Sequence, residues 1–409
     1  MSEVKRVAVI GAGAAGIMAG ITAARSGAAV SLLEHTDSIG SKILITGNGK
    51  CNYTNTGISR SRYHSGTDRA GRIESITDRF GYAEAVSFFE SIGITGRERR
   101  GCIYPYTDTA ESVRTALRLE LKKLGTEIVC GCKNIKIIYR KSNCIKVTSE
   151  LFLGGRDFDS VIIACGGLAA RKTGSDGSGY DLMRSLGAST TDIYPALTPL
   201  LLTEDLSAIK GVRCEAALTL KDEKGSIIES SRGELQPFEK GLSGICALDI
   251  SGNASRRTGA GERVYVETDF YPLCDDAGFQ RMIRKRMECF PERNLTELLN
   301  GLFPKKLTGY LVHPVDTRED GYIGTLTENI KHHRYEVSPD IIKDFSRAQT
   351  TAGGVSLEGI DENCMLKGRD GIYAVGEILD ADGVCGGYNL HFAWATGYIA
   401  GAHAAGMIK

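Results

Sequence analysis

The chain has 409 residues, 42% hydrophobic and 24% charged, and 50 Lys plus Arg balance 50 Asp plus Glu for a formal net charge of zero. That length suits two or three packed units rather than one core, the composition excludes disordered and collagen-like chains, and the missing basic excess argues against a nucleic-acid partner. Glycine stands out at 50 residues against 9 prolines, which points to tight turns and close backbone approach to a ligand.

Residues 7–24 carry no charge and follow Lys5-Arg6, the outline of an export signal or a membrane span. Glycines at 11, 13, 16 and 20 make it a poor lipid-facing helix, and no other charge-free stretch approaches spanning length. The twelve cysteines are scattered, none spaced C-x-x-C, with Cys130 and Cys132 the nearest pair. Reduced thiols, a cytoplasmic location and no metal site are therefore expected.

In chain order, Arg6–Ile10 reads as a buried strand that runs into Gly11-Ala-Gly13-Ala14-Ala15-Gly16. Ile17, Ile21 and Ala24 then recur at helical spacing, and Gly27 marks the stop. A second strand, Ala29–Leu33, ends at Glu34, 18 residues after Gly16. This strand, glycine loop, helix, strand and acid order is that of a dinucleotide site. Residues 11–16 would hold a pyrophosphate on the helix N-terminus, and Glu34 would accept from ribose hydroxyls while repelling a 2′-phosphate. Gly20 is expected where that helix packs tightly on the sheet.

The next segment, Gly40 to Asn55, is dense in glycine, amide and hydroxyl groups, suited to a long cofactor that continues past its pyrophosphate. Its motif Thr46-Gly47-Asn48-Gly49-Lys50-Cys51-Asn52-Tyr53-Thr54-Asn55 resembles the T-G-x-G-[RK]-C-N-x-T-N signature of the BaiN-like flavoprotein family, with Lys50 where arginine is more usual. The resemblance covers essentially the whole chain and implies FAD as cofactor, with Lys42, Gly47, Asn48, Gly49, Lys50, Cys51 and Asn52 in its site. Cys51 would be a thiol near the flavin or a packing residue.

Further on, Arg100 to Tyr106 resembles the family's R-x-[FY]-P segment, with Tyr106 in place of serine. The strand Glu127–Cys130, through Val129, would meet the adenine by backbone atoms. Ser160 to Gly167 resembles the A-T-G-G turn of FAD domains, with Cys165 for threonine before Gly166 and Gly167, and Gly174 to Gly179 is a turn opening a helix. Residues 192–344 change character to alternating strands, then helices at Phe279–Phe303 and Ser338–Ala348. The basic clusters Arg281–Arg286 and Lys331–Arg334 are expected to be solvated helix faces.

At the far end a strand, Gly371–Val375, leads into Gly376-Glu377-Ile-Leu-Asp380 and then Gly386-Gly387-Tyr388-Asn389-Leu390, which opens a small-residue helix to Ala405. These residues fit the family's G-E-x-L-D-x-x-G-x-x-G-G-Y-N pattern. A glycine loop feeding a helix N-terminus would place positive potential on the flavin pyrimidine edge. Two half-sites at opposite ends imply an α/β fold: a Rossmann-like, glutathione-reductase-like FAD/NAD(P)-binding domain from 1–192 and 345–409. An inserted β-barrel-like and helical domain, 193–344, would cover the substrate.

The resemblance implies an oxidoreductase in which NAD(P)H, a transient co-substrate, reduces the flavin and N5 then saturates a conjugated C=C of a 3-oxo steroid or bile-acid-like enone. Tyr388 and His391 are candidates for the contact to the carbonyl and the proton source. The alternatives are an O₂-dependent oxidase of a small amine such as aminoacetone, and a non-catalytic flavin-binding partner or sensor. The expected partner is a small apolar or carbonyl-bearing molecule, without nucleic acid or membrane span; oligomeric state is left open.

Overall fold

The computed structural model describes residues 4–140, 144–315 and 321–406. The chain divides into two compact units, one from the residues up to Ile193 and from Thr350 onward, the other Tyr194–Gln349. Among the described residues no helix is long and apolar enough to cross a membrane.

The first unit is built on a parallel sheet. Its elements are β1 (Arg6–Ile10), α1 (Ala14–Arg25), β2 (Ala29–Leu33), α2 (Ala110–Lys123), β3 (Glu127–Val129), β4 (Ser160–Ile163), β5 (Ile372–Ala374) and α3 (Tyr388–Ala404). The strand order is β5-β4-β1-β2-β3, all parallel. Val7, Val9, Leu32, Ile162 and Ile372 are fully buried, as a sheet covered on both faces requires. Val113, Leu117 and Leu121 form the buried stripe of α2. The chain's last long helix packs on its first: a Cβ on Gly397 would lie 2.4 Å from the Ala15 carbonyl oxygen, and one on Gly401 2.5 Å from that of Ala19. Small residues four apart on both helices let the two backbones touch.

The second unit holds a six-stranded antiparallel sheet in the order Leu200–Leu201, Gly241–Ser243, Ile227–Phe238, Cys214–Asp222, Val264–Asp269, His333–Glu336. Its outer strands meet through an antiparallel bridge between Leu202 and Val337, with Thr203 N–H donating to Glu336 O (3.0 Å) and Ser338 N–H to Leu201 O (2.8 Å), which closes the sheet on itself. Helix Ile245–Gly259 buries Cys246, Ala247, Ile250 and Ala254 in this unit's core.

Three expectations for this unit need correction. The helix expected over Phe279–Phe303 is Asp276–Cys289 followed by a short turn of helix at Leu295–Leu298, because Pro291 breaks the first and Asn294 caps the second. Instead of a helix over Ser338–Ala348 there is only a 3-10 turn at Pro339–Ile342; Asp344 then accepts from Ser346 N–H (2.9 Å), an Asx turn that competes with helix. Lys331–Arg334 is not a solvated helix face. Lys331 ends helix Tyr322–Lys331 at 4% exposure, its ammonium on Asp269 Oδ2 (2.6 Å) and Tyr271 O (3.0 Å), and a strand begins at His333.

Candidate functional site

The glycine loop after β1 divides its labour. Gly11 has φ +96° and a Cβ there would meet Ala164 O at 2.5 Å, while a Cβ on Gly16 would lie 1.9 Å from Gly11 O. Both are glycines because backbone packs against them. Gly13 differs: a Cβ there would meet nothing within 4 Å, and no side chain caps α1 at this point. No side chain takes the first N–H groups of α1, and beside them Gly13 leaves room, the arrangement that receives an anion. Gly20 does not carry the expected tight packing, since an added methyl would make only ordinary contacts with Leu121 (3.6 Å) and Val30 (3.8 Å).

Glu34 is 8% exposed and oriented by the loop itself. One carboxylate oxygen accepts from Ala12 N–H (2.8 Å), the other from the N–H and hydroxyl of Thr36 (2.8 Å each). Val129, expected to meet a base by its backbone, gives its carbonyl oxygen to Glu34 N–H (2.8 Å).

The segment after β2 turns through a run of left-handed residues: Gly47, Asn48, Gly49 and Cys51 have φ between 54° and 82°. Gly47, Asn48, Gly49 and Lys50 form its exposed crest. Cys51 is fully buried, and burial pushes its thiol up to about 12, so it packs rather than reacts. Asn52 is also buried, its Oδ1 without a hydrogen bond and so close to the far loop that a Cβ on Gly387 would stand 2.7 Å away.

The next three residues fasten this segment to the far end of the chain. Trp394 Nε1–H donates to Tyr53 O (3.0 Å), Thr54 bonds His391 Nδ1 (2.9 Å), and Asn55 Nδ2 donates to Gly386 O (2.9 Å). A second tie joins Lys42 to Glu377 at 2.6 Å, with Lys42 Nζ also on Ala169 O (3.1 Å). Glu377 Oε1 accepts from the N–H (3.1 Å) and hydroxyl (3.0 Å) of Thr351, whose oxygen accepts from Leu168 N–H (2.8 Å) and Ala169 N–H (3.2 Å). This cluster explains the turn after β4: a Cβ on Gly167 would sit 2.3 Å from Thr351 Oγ1, and Gly166 has φ +73°. Cys165 Sγ donates to Ile10 O (3.6 Å), and desolvation pushes its thiol up to about 12.

In the far loop, Gly376 has φ +76° and abuts α1, where its Cβ would lie 2.7 Å from that of Ala15. Asp380, 1% exposed, accepts from Gly66 N–H (2.9 Å), the Thr67 hydroxyl (2.8 Å) and the Ser65 hydroxyl (3.2 Å), so it pins a loop the sequence reading did not single out. Asn389 bonds Gly383 twice, accepting from its N–H and donating to its O at 2.8 Å each, and so braces the loop from within. Gly386 and Gly387 have φ +125° and +93°; Gly387 begins α3 with no side-chain cap, followed by Tyr388 and Leu390 in its first turn. Tyr388 is 5% exposed, edge-on to Tyr63 at 6.0 Å.

His391 is corrected. It is fully buried, with Nε2 on Phe80 O (2.9 Å) and Nδ1 on the Thr54 hydroxyl. A carbonyl only accepts, so Nε2 carries the proton and Nδ1 accepts from Thr54. Burial lowers its pKa to about 4. Both ring nitrogens are committed inside the core, which removes His391 as a substrate-facing acid and makes it a brace for α3. Thr54, Asn55 and Thr351 are the residues that sequence reasoning left without a role; the first two lie inside the quoted signature, and Thr351 two residues before Gly353-Gly354.

The first unit thus brings together two glycine-begun helix N-termini without side-chain caps, an acid one strand away from the first, and a buried carboxamide oxygen in need of a donor. The residues present here fit a flavin dinucleotide, whose charged centre Gly13 and α1 would hold and whose ring system the loops tied to α3 would hold. Among the described residues no group of three or more His, Cys, Asp or Glu could hold a metal ion.

The family model described as HI0933-like protein Rossmann domain matches residues 5–403. A 3-dehydro-bile acid delta(4,6)-reductase of Clostridium scindens is 35% identical over 98% of this chain and 99% of its own length. A ribosomal RNA dihydrouridine synthase of Haemophilus influenzae is 27% identical over 97% of this chain and 98% of its own. Among solved structures, 3-ketosteroid delta1-dehydrogenase from Sterolibacterium denitrificans, in complex with 1,4-androstadiene-3,17-dione, is similar in fold, with a TM-score of 0.51 at 11% identity over 99% of this chain and all of that one.

Proposed function

The chain belongs to the HI0933-like family, and from that premise we propose that it is an FAD-dependent oxidoreductase that saturates a carbon–carbon double bond conjugated with a carbonyl, in a steroid-like enone. The observation that carries this reading is the likeness, end to end, to a bile-acid delta(4,6)-reductase at 35% identity. When bound, FAD supplies the hydride to the β-carbon, with NAD(P)H as the proposed source of electrons. The chain's own residues do the holding. The open N–H groups of α1 beside Gly13 take the pyrophosphate, Glu34 takes ribose hydroxyls, and the uncapped start of α3 stabilises negative charge at the pyrimidine edge. The ties from Lys42, Asn55 and Thr54 hold those two helix starts in one register before any ligand arrives. Tyr388 remains the candidate for a substrate-side contact.

A second reading is favoured by the likeness to a ribosomal RNA dihydrouridine synthase. The C5=C6 bond of uracil is conjugated with its C4 carbonyl, so reducing it is the same hydride-then-proton chemistry on a different scaffold. The even balance of 50 basic and 50 acidic residues ranks it second, because a chain that grips an RNA backbone needs an excess of cations.

Anaerobic stopped-flow absorbance of the FAD-loaded protein with NADH and with NADPH tests the proposal. Bleaching of the flavin followed by reoxidation on a 3-oxo-4-ene steroid is the expected result. Reoxidation by ribosomal RNA alone would favour the second reading. No bleaching with either nicotinamide, but bleaching with a small amine, would sink both and leave an oxidase.

A further inference from the structure

The sequence contains two Asn-Gly pairs, Asn48-Gly49 and Asn300-Gly301. The first stands on the exposed crest after β2, where Gly47, Asn48 and Gly49 follow one another at φ +54°, +55° and +82°. Side chains enter this left-handed region only against a steric cost, which glycine escapes and asparagine tolerates better than most. The crest thus demands the two residue types that can react with each other, because glycine has no Cβ to shield its nitrogen from the carboxamide before it.

The surroundings leave that pair free to move. The Asn48 side chain is exposed, and among the described residues no hydrogen bond holds its carboxamide. Upstream the backbone is fixed, since a Cβ on Gly47 would lie 2.9 Å from Asn52 N. Downstream there is room to turn: a Cβ on Gly49 would meet only Leu44 O, at an ordinary 3.8 Å.

We infer that Asn48 is a self-modification site: in the chain without cofactor it cyclises onto Gly49 and becomes aspartate or isoaspartate, and bound FAD shields it. The Gly49 amide nitrogen attacks Asn48 Cγ, an intramolecular step that needs only rotation about Asn48. A Cγ–N bond forms and the Cγ–Nδ2 bond breaks. Nδ2 leaves as ammonia, taking the proton that Gly49 gives up. Solvent water then opens the cyclic imide, at Cγ to leave aspartate or at the main-chain carbonyl to leave isoaspartate, and no electrons are exchanged. Either product adds a negative charge, and isoaspartate adds a carbon to the main chain. Lys50 N–H on Gly47 O (3.2 Å) and Cys51 N–H on Thr46 O (3.0 Å) both span residue 48, so that carbon disrupts the turn they close. A chain left without cofactor therefore acquires a permanent mark in the cofactor's own loop. The shielding rests on the proposed function, in which the segment 47–52 belongs to the FAD site.

Asn300-Gly301 is the internal control. It is exposed too, with Gly301 at φ +83°, but lies in the second unit, where none of the residues argued to hold FAD is found. The full chain, bare and FAD-saturated, is incubated in mildly alkaline buffer, with flavin fluorescence recording uptake and peptide mass mapping following both sites. In the bare chain aspartate and isoaspartate are expected to accumulate at 48. FAD at ten times its dissociation constant leaves about a tenth of the chains bare, so conversion at 48 should slow about tenfold while that at 300 is unchanged. Asn48→Gln, whose longer side chain closes the ring far less readily, should lose the products at 48 alone. An Asn48 that stays intact in the bare chain would overturn the inference. So would equal rates at 48 with FAD bound, or equal slowing at both sites. A chain that takes up no FAD fails the proposed function and the shielding with it, and conversion at 48 then decides the modification by itself.

Discussion

Lys42 and Glu377 lie 335 positions apart in the chain, yet their charged groups meet at 2.6 Å. Each side chain is about four-fifths shielded, at 21% and 18% exposure, and together with Thr351 they join four separate segments of the nucleotide unit. Removing one partner strands the other. Lys42→Met or Glu377→Gln is expected to cost on the order of 2 kcal/mol and to weaken FAD binding by about tenfold or more, while the double variant recovers part of the loss. Urea melts and flavin fluorescence titrations check both numbers; a double variant that loses the sum of the two single losses would show the pair to be energetically uncoupled.

Gly13 and Gly16 should respond in opposite ways. A valine at 13 enters open space, so Gly13→Val is expected to melt within a degree or two of the parent while losing FAD. Gly16→Ala drives a methyl into the Gly11 carbonyl and should lower the melting temperature itself. Circular dichroism melts beside flavin absorbance separate the two.

His391 makes stability depend on pH with a definite sign. Its folded pKa of about 4 lies below the ordinary 6.5, so the unfolded chain takes up a proton that the folded one refuses. The contribution is whole above pH 6.5 and is lost as pH falls towards 4, amounting to roughly 3 kcal/mol. His391→Gln should be less stable at pH 8 and show a shallower acid loss between these limits. Chemical denaturation at pH 8, 6.5 and 5 measures the difference; parallel curves for the two proteins would refute the assignment.

Thiol chemistry should sort the cysteines by burial. The Cys51, Cys165 and Cys364 thiols are all pushed up to about 12 by desolvation, whereas Cys289 is exposed. Brief iodoacetamide treatment at neutral pH should label Cys289 first and spare those three, read by peptide mass mapping. Cys51→Ala should keep its FAD; loss of cofactor with the fold intact would return this thiol to the site.

Much of the nucleotide unit was legible in the sequence because its signals are local. Buried β-branched runs at Arg6–Ile10 and Ser160–Ile163, glycines at fixed offsets and an acid at a strand end depend on neighbours a few residues away. What stayed hidden was partnership over distance. Nothing in the spacing says that Asp380 would turn to a loop at 65–67, that Asn389 would spend both amide atoms on Gly383, or that His391 would face Thr54 and Phe80. Lys331 misled for the same reason: a basic run reads as solvated until the fold supplies Asp269. The helix expected at Ser338 failed on turn chemistry, where side-chain acceptors outbid the helical pattern.

The seam of Gly397 and Gly401 against Ala15 and Ala19 also sets an order of events during synthesis. The nucleotide unit cannot bury the inner face of its first helix until residues 388–404 have left the ribosome, because that helix is the one that covers it. Residues 194–349 face no such delay, since all their strands emerge consecutively. The unit that interrupts the nucleotide fold is therefore able to mature before it, while the glycine loop at 11–16 waits, half-built, for the helix at 388–404.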